Sequence, residues 1–288
     1  MGLVTKLGFL AGWSLLIAGC SADSAPRNSA TQATESVPDG ASAPVSPGQP
    51  PAPEATAPAM PQGQGADADN AIDLATDTYE FQYSYPAAAA AIAPLREELD
   101  RRRDAMRAEV ETRSRAEKSA AAQGAYPFRP QTFSASWSVV ADVPDWLSLF
   151  AETYEFTGGA HGMSGFEALV WNRRIERLER PLDLFVSAEA FSAALRTRLC
   201  RALDAQRAQR RGQPLEPGAP FTDCIDPARQ TVLLGSSNGK TFDRLEFRIA
   251  PYEAGPYAEG SYDVTLGVDG AVMRALRPQY RNAFSIFS

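Results

Sequence analysis

The sequence predicts an α+β fold, with antiparallel sheets packed against one long and one shorter helix. Three observations predict it. After residue 77 several short runs alternate apolar with polar residues, the period of a half-buried strand. Two longer stretches carry apolar residues at every third or fourth position, the period of a helix face. The two kinds of segment do not alternate regularly, so the repeated βαβ pattern of a parallel α/β fold is missing.

In chain order, residues 1–20 read as a signal peptide. Met1 and Lys6 make a short positive start, and Leu7 to Leu16 is an apolar run too short to span a bilayer. It ends in Leu16-Ile17-Ala18-Gly19-Cys20, which resembles the lipobox of bacterial lipoproteins. In that motif small residues admit a peptidase and the thiol takes a diacylglycerol. An ordinary secretory signal with a fortuitous cysteine is the alternative. Each buried CH₂ of an acyl chain is worth about 0.8 kcal/mol, so several chains anchor firmly. Ser21 after the cysteine favours outer-membrane sorting, with the protein facing the periplasm. Cys20→Ala is therefore expected to leave the protein unlipidated and in the soluble fraction after cell lysis. A variant that still sediments with membranes would show that the lipobox reading is wrong.

Residues 21–76 are rich in Ala, Pro, Ser, Gln and Gly and read as a disordered tether, because too little apolar surface is available to offset the ordering entropy. As a flexible coil such a segment spans roughly 40 Å. It is either a spacer or unselected filler. It also holds seven acids against one arginine, so most of the net charge of −7 sits there and residues 77–288 are close to neutral. That balance argues against nucleic acid as a partner, which needs a clustered basic surface.

The foldable region divides into an N-terminal half (77–185) and a C-terminal half (186–288). Residues 78–85 are aromatic at every second position, a strand that Pro86 closes. A long helix is predicted from about Ala88 to Ala122, striped by Ile92, Leu95, Leu99, Met106 and Val110. Acid-before-base pairs at i, i+4 (Glu97/Arg101, Glu98/Arg102, Glu109/Arg113, Glu111/Arg115) line its solvated face. Strands follow at 133–141, with Phe133, Ala135, Trp137, Val139 and Ala141 inward, and at 147–156 and 164–172. Pro181 to Phe185 turns into a second helix, with Ser187 as N-cap and Glu189 in its first turn. Phe191, Leu195, Leu199 and Leu203 stripe that helix at spacing four. Strands at 231–234, 245–249 and 262–268 complete the chain.

With Cys20 assigned to lipid, Cys200 and Cys224 remain, and in an exported protein two cysteines most economically form one disulfide. A Cys/Cys/His161 metal site is the alternative, but it lacks a CxxC pair. The single histidine of the chain leaves no metal site that needs two imidazoles, and no cofactor is indicated.

Two segments carry a resemblance. Tyr154-Glu155-Phe156-Thr157-Gly158-Gly159-Ala160-His161-Gly162 is similar to the Y-x-x-T-G-G-A-H-G turn of a widespread extracytoplasmic domain. Pro251-Tyr252-Glu253-Ala254-Gly255-Pro256-Tyr257-Ala258-Glu259-Gly260 resembles its P-Y-x-x-G-P-Y-A-x-G segment, and Pro181-Leu182-Asp183-Leu184-Phe185 fits the short block between them. The domain is the RsiV/PdaC type, the pair of domains of unknown function found in RsiV-type anti-sigma factors, whose outer part binds lysozyme. It also occurs in PdaC-type peptidoglycan deacetylases, where its N-terminal half precedes the catalytic domain. With only a leader and tether ahead of the domain, signalling through a cytoplasmic segment is not expected. A deacetylase needs paired metal-binding histidines, and the single histidine does not provide them. The resemblance thus implies a non-catalytic envelope binding module for lysozyme or peptidoglycan.

The candidate binding residues are Glu155, Gly158, Gly159, His161, Gly162, Tyr252, Glu253, Tyr257 and Glu259. The glycines suit a tight strand connection. His161 at its tip is a structural turn residue, a contact, or the base of an envelope hydrolase working with a carboxylate. No G-x-S-x-G accompanies it, and no catalytic residue is assigned. Tyr252 and Tyr257 either anchor a ligand or pack on a sheet. If lysozyme is the partner, its positive charge needs the three glutamates.

Overall fold

The computed structural model describes residues 70–288, so the leader, Cys20 and the tether up to residue 69 lie outside the described residues. The folded region starts earlier than the expected boundary at 76. Ala71–Ala75 form a strand, β1, paired antiparallel with β2 (Tyr79–Ser84). The Ala-Asp-rich composition hid it, although its Ile72 and Leu74 have the period-two spacing of a strand and pack on the core.

The expected long helix is two helices. A single turn, α1 (Ala87–Ala90), is separated from α2 (Ala93–Gly124) by Ile92 in extended conformation. Pro94 causes the break. It has no N–H to offer a carbonyl one turn earlier and its ring crowds that carbonyl, so it is tolerated only in a first turn. The chain then returns as β3 (Gln131–Val143), which lies parallel to β2. The β2–α2–β3 unit is thus a crossover, and the sheet departs from the all-antiparallel expectation at this one pair. β4 (Trp146–Phe156), β5 (Met163–Asn172) and β6 (Arg177–Glu179) extend it as an antiparallel meander in the order β1-β2-β3-β4-β5-β6.

Leu95, Leu99 and Val110 of α2 are fully buried against Phe81, Tyr83, Phe133, Trp137, Leu149 and Trp171 on one face of this sheet. The helix charges are not only a solvated face. Glu98–Arg102, Glu109–Arg113 and Glu111–Arg115 pair as expected, but Arg101 takes Glu98 rather than Glu97. Arg102 and Arg113 also reach across to Glu167 and Glu155 on the sheet.

A bulge between Val139 and Ala141 makes β3 serve two cores. Up to Trp137 its inward residues face α2. The extra residue, Val140, shifts the alternation after it, so Ala141 and Val143 enter a second cluster on the opposite side; Val139, just before the bulge, is exposed, against expectation. That cluster is completed by the C-terminal half. α3 (Ala188–Arg211) is capped by Ser187 Oγ, which accepts the Ala190 N–H at 3.1 Å. Its Phe191, Leu195, Leu199 and Leu203 are all fully buried. They pack on an antiparallel sheet of β7 (Thr231–Gly235), β8 (Arg244–Ile249) and β9 (Tyr262–Gly267), with a short helix α4 (Gly270–Ala275) alongside. Trp146 of the first sheet stands among Phe242 and Tyr280 of this second core. Residues from both sides of the 185/186 boundary thus contribute to this second core. Cys200 of α3 is bonded to Cys224, as expected, with Cα atoms 5.3 Å apart, which removes both from any metal site with His161. Among the described residues no helix is long and apolar enough to cross a membrane.

Candidate functional site

The β4–β5 hairpin projects residues 157–162 from one end of the first sheet. Gly158 has φ +95°, which an L side chain rarely adopts. Gly162 has a different role. A Cβ there would fall 2.3 Å from the Tyr154 ring, so the glycine lets that ring lie against the backbone. Arg129 braces the turn from outside, donating from Nη1 to Gly159 O at 2.9 Å with its guanidinium 4.9 Å from the Phe156 ring centre.

The loop between β8 and β9 crosses over this turn. Its Tyr257 ring stacks on the His161 imidazole at 4.1 Å between centres and 25° between planes. The Tyr257 hydroxyl donates to Gly162 O at 3.1 Å. Tyr252 adds a third ring, 5.6 Å from Tyr257 and 6.4 Å from His161, with its hydroxyl 3.5 Å from His161 Nε2. His161 Nδ1 lies 3.0 Å from Gly162 O. The two blocks, some ninety residues apart in sequence, therefore build one cluster of three aromatic rings. His161 and Tyr252 are exposed and Tyr257 is half-buried.

The glutamates are distributed differently from the expectation. Alternation along β4 puts Glu155 on the face under α2, paired with Arg113, while Tyr154 faces the other way toward Gly162. Glu155 is thus not part of the cluster. Glu259 is held by Arg211, with bonds of 2.9 and 3.2 Å, and by the Tyr262 hydroxyl. Burial alone would raise its pKa, but the bonds from Arg211 and Tyr262 and the charges of Arg211 and Arg210 outweigh that and lower it. It anchors the loop instead of facing solvent. Of the three candidate glutamates, Glu253 is the one that is exposed and has no ion pair among the described residues. Gly159 is exposed, with no atom near the position of a Cβ.

Several residues that hold the site are absent from the sequence-derived set. Arg207, Arg210 and Arg211 at the end of α3 grip the tyrosine loop. Arg210 Nη1 donates to Glu259 O and Ser261 O at 2.6 and 2.7 Å and its guanidinium stacks 3.9 Å from the Tyr262 ring centre. A signal for Arg207 was present. It continues the stripe 191, 195, 199, 203 by one more step of four, and a charge at a core position announces a buried polar partner. In the structure its side chain is 1% exposed.

Residues 72–164, from β1 to just past the His161 turn, match a family model described as Deacetylase PdaC. Two solved structures are similar. One is a DUF3298 family protein from Pseudomonas aeruginosa PAO1, at 19% identity, covering 74% of this chain and 94% of that one with a TM-score of 0.45. The other is a DUF3298 family member from Bacteroides fragilis, at 16% identity, covering 72% and 91% with a TM-score of 0.40. No curated protein matches the chain.

Proposed function

We propose that this chain, whose residues 72–164 form a PdaC-type domain, is a non-catalytic binding module of the bacterial envelope, anchored through Cys20, that holds a peptidoglycan strand on the rings of His161, Tyr257 and Tyr252. The observation that carries the reading is the stack itself. Two loops from different sheets bring three aromatic rings together at the surface, each with an apolar face and a polar edge. A sugar ring offers the complementary pair, a C–H face for stacking and hydroxyl or acetamido groups for the tyrosine hydroxyls. Lysozyme, the other partner implied by the resemblance, would need uncompensated acids. Two of the three candidate glutamates are already neutralised by arginines, which favours the glycan. The hydrolase alternative gains no support, since the partners of the His161 ring nitrogens are Gly162 O and Tyr252 Oη and neither is a carboxylate.

Calorimetry with muropeptides and, in parallel, lysozyme tests this on the whole chain carrying Cys20→Ala. Tyr257→Ala loses both the stack and the bond to Gly162 and is expected to weaken muropeptide binding at least about tenfold. Tyr257→Phe keeps the stack and should lose less. If muropeptides do not bind, or the folded Tyr257→Ala protein binds them as well as wild type, the cluster is scaffold and the proposal fails.

A further inference from the structure

We infer that Arg207 and the Cys200–Cys224 disulfide act together to position the tyrosine loop, which makes the aromatic cluster a redox-dependent site. The inference concerns regulation of the site proposed above, and only its ligand readout rests on that proposal. After α3 the chain runs back along the helix through residues 212–226, a stretch of turns without strand or helix. The disulfide fastens this return segment to α3, and Arg196 Nη2 adds a bond to Cys224 O at 3.2 Å.

Two arginines one helical turn apart then connect the return segment to the tyrosine loop. The Arg207 guanidinium donates from Nη1 to Asp223 O at 3.1 Å and to Asp204 Oδ1 at 3.0 Å, and from Nε to Ala254 O at 2.8 Å. Arg211 donates to Phe221 O at 3.3 Å on one side and to the Glu259 carboxylate on the other. Asp223 adjoins Cys224, and Ala254 lies between Tyr252 and Tyr257. Each arginine is thus satisfied only while both segments are in place. The need for such clamping is visible at Tyr252, whose φ of +71° is in the left-handed region. A bulky residue stays there only where its surroundings over-determine it.

Reduction would proceed by thiol–disulfide exchange with a dithiol. Its thiolate attacks one sulfur and releases the other cysteine as a thiolate, which takes up a proton. The second thiol of the reductant then closes the reductant's own disulfide, and two protein thiols remain. The return segment is then held by hydrogen bonds and by Ile225 packed on the second core, with no covalent cross-link to α3. As Asp223 O and Phe221 O move away, Arg207 lacks an acceptor it cannot replace while buried. It shifts toward water, Ala254 O is released, and Tyr257 leaves the face of His161.

The chain's only histidine supplies a direct readout, because its imidazole gives a single set of proton resonances. In the oxidised protein the Tyr257 ring at 4.1 Å displaces those resonances from their solvent positions. Reduction of the whole Cys20→Ala chain with dithiothreitol is expected to move them back to solvent positions with the far-ultraviolet circular dichroism retained, and reoxidation should restore them. Arg207→Lys, which cannot serve three acceptors in the same geometry, should show the solvent positions without reductant. A folded, reduced protein with an unchanged His161 spectrum overturns the inference. If the reduced chain unfolds, unchanged His161 resonances in folded, oxidised Arg207→Lys overturn it. Muropeptide affinity should fall about tenfold on reduction, as for loss of one hydrogen bond to a charged group. A protein that binds muropeptides in neither state while its His161 resonances still move removes the glycan reading and leaves the positioning role standing.

Discussion

Phe185→Ala is expected to destabilise the protein by about 3–5 kcal/mol, the range for deleting a fully buried phenylalanine. Phe185 is 1% exposed and closes the Pro181–Phe185 segment that joins the two halves. Its ring meets Phe191 of α3 edge to face at 4.6 Å and Phe284 of the C-terminal segment at 6.2 Å. Its backbone is fixed independently, bridged to Leu276 and bonded at the carbonyl by Arg277 Nε at 2.8 Å. The turn should therefore survive, leaving a cavity that the surrounding elements cannot close. Phe185→Leu keeps most of the volume and should cost far less. Urea unfolding of the two variants measures both changes, a lower midpoint with an unchanged slope being the signature of a stability change. If Phe185→Ala unfolds within about 1 kcal/mol of wild type, the second core is not organised around this ring.

What was legible in the sequence depended on how local its cause is. The α3 stripe and its Ser187 cap depend on neighbours three or four residues away, and both were readable. So were the strand regions flanking the His161 turn. The parallel pairing of β2 with β3 was not, because it is made across a whole helix and leaves no trace in either strand's alternation. The bulge in β3 was invisible for a related reason. Ser138-Val139-Val140-Ala141 reads as continuous alternation until the partner strand shows which residue is extra. The disulfide was legible by elimination, as the remaining pair in an exported chain. Within the site, both motif blocks were visible but their meeting was not, since nothing local brings residue 161 to residue 257. The ion pairs of Glu155 and Glu259 were not legible, because nearness in sequence to the motif blocks does not show which partner lies near in space. The strand pleat turns Glu155 away, and an arginine on a distant helix occupies Glu259.

That occupation has a measurable consequence at acid pH. Glu259 and Arg211 are both mostly buried, with side chains 17% and 16% exposed. Glu259→Gln removes the charge and leaves Arg211 and the Tyr262 hydroxyl with a poorer acceptor. A loss of about 2 kcal/mol near neutral pH follows from breaking charge-assisted bonds at such a site. The folded-state pKa of Glu259 lies below its ordinary value, because Arg211 and Tyr262 stabilise the carboxylate more than burial penalises it. A carboxylate with a depressed folded-state pKa stabilises the protein above the unfolded value of about 4.3, and that contribution disappears as pH falls through the lower, folded value. Wild type should therefore lose its advantage over Glu259→Gln as pH is lowered from about 5, with the two curves converging in stronger acid. Urea midpoints of both proteins at pH 7, 5 and 3 measure the convergence. A gap that stays constant across that range would mean the variant acts through shape alone and that the Arg211–Glu259 pair does not hold the tyrosine loop by charge.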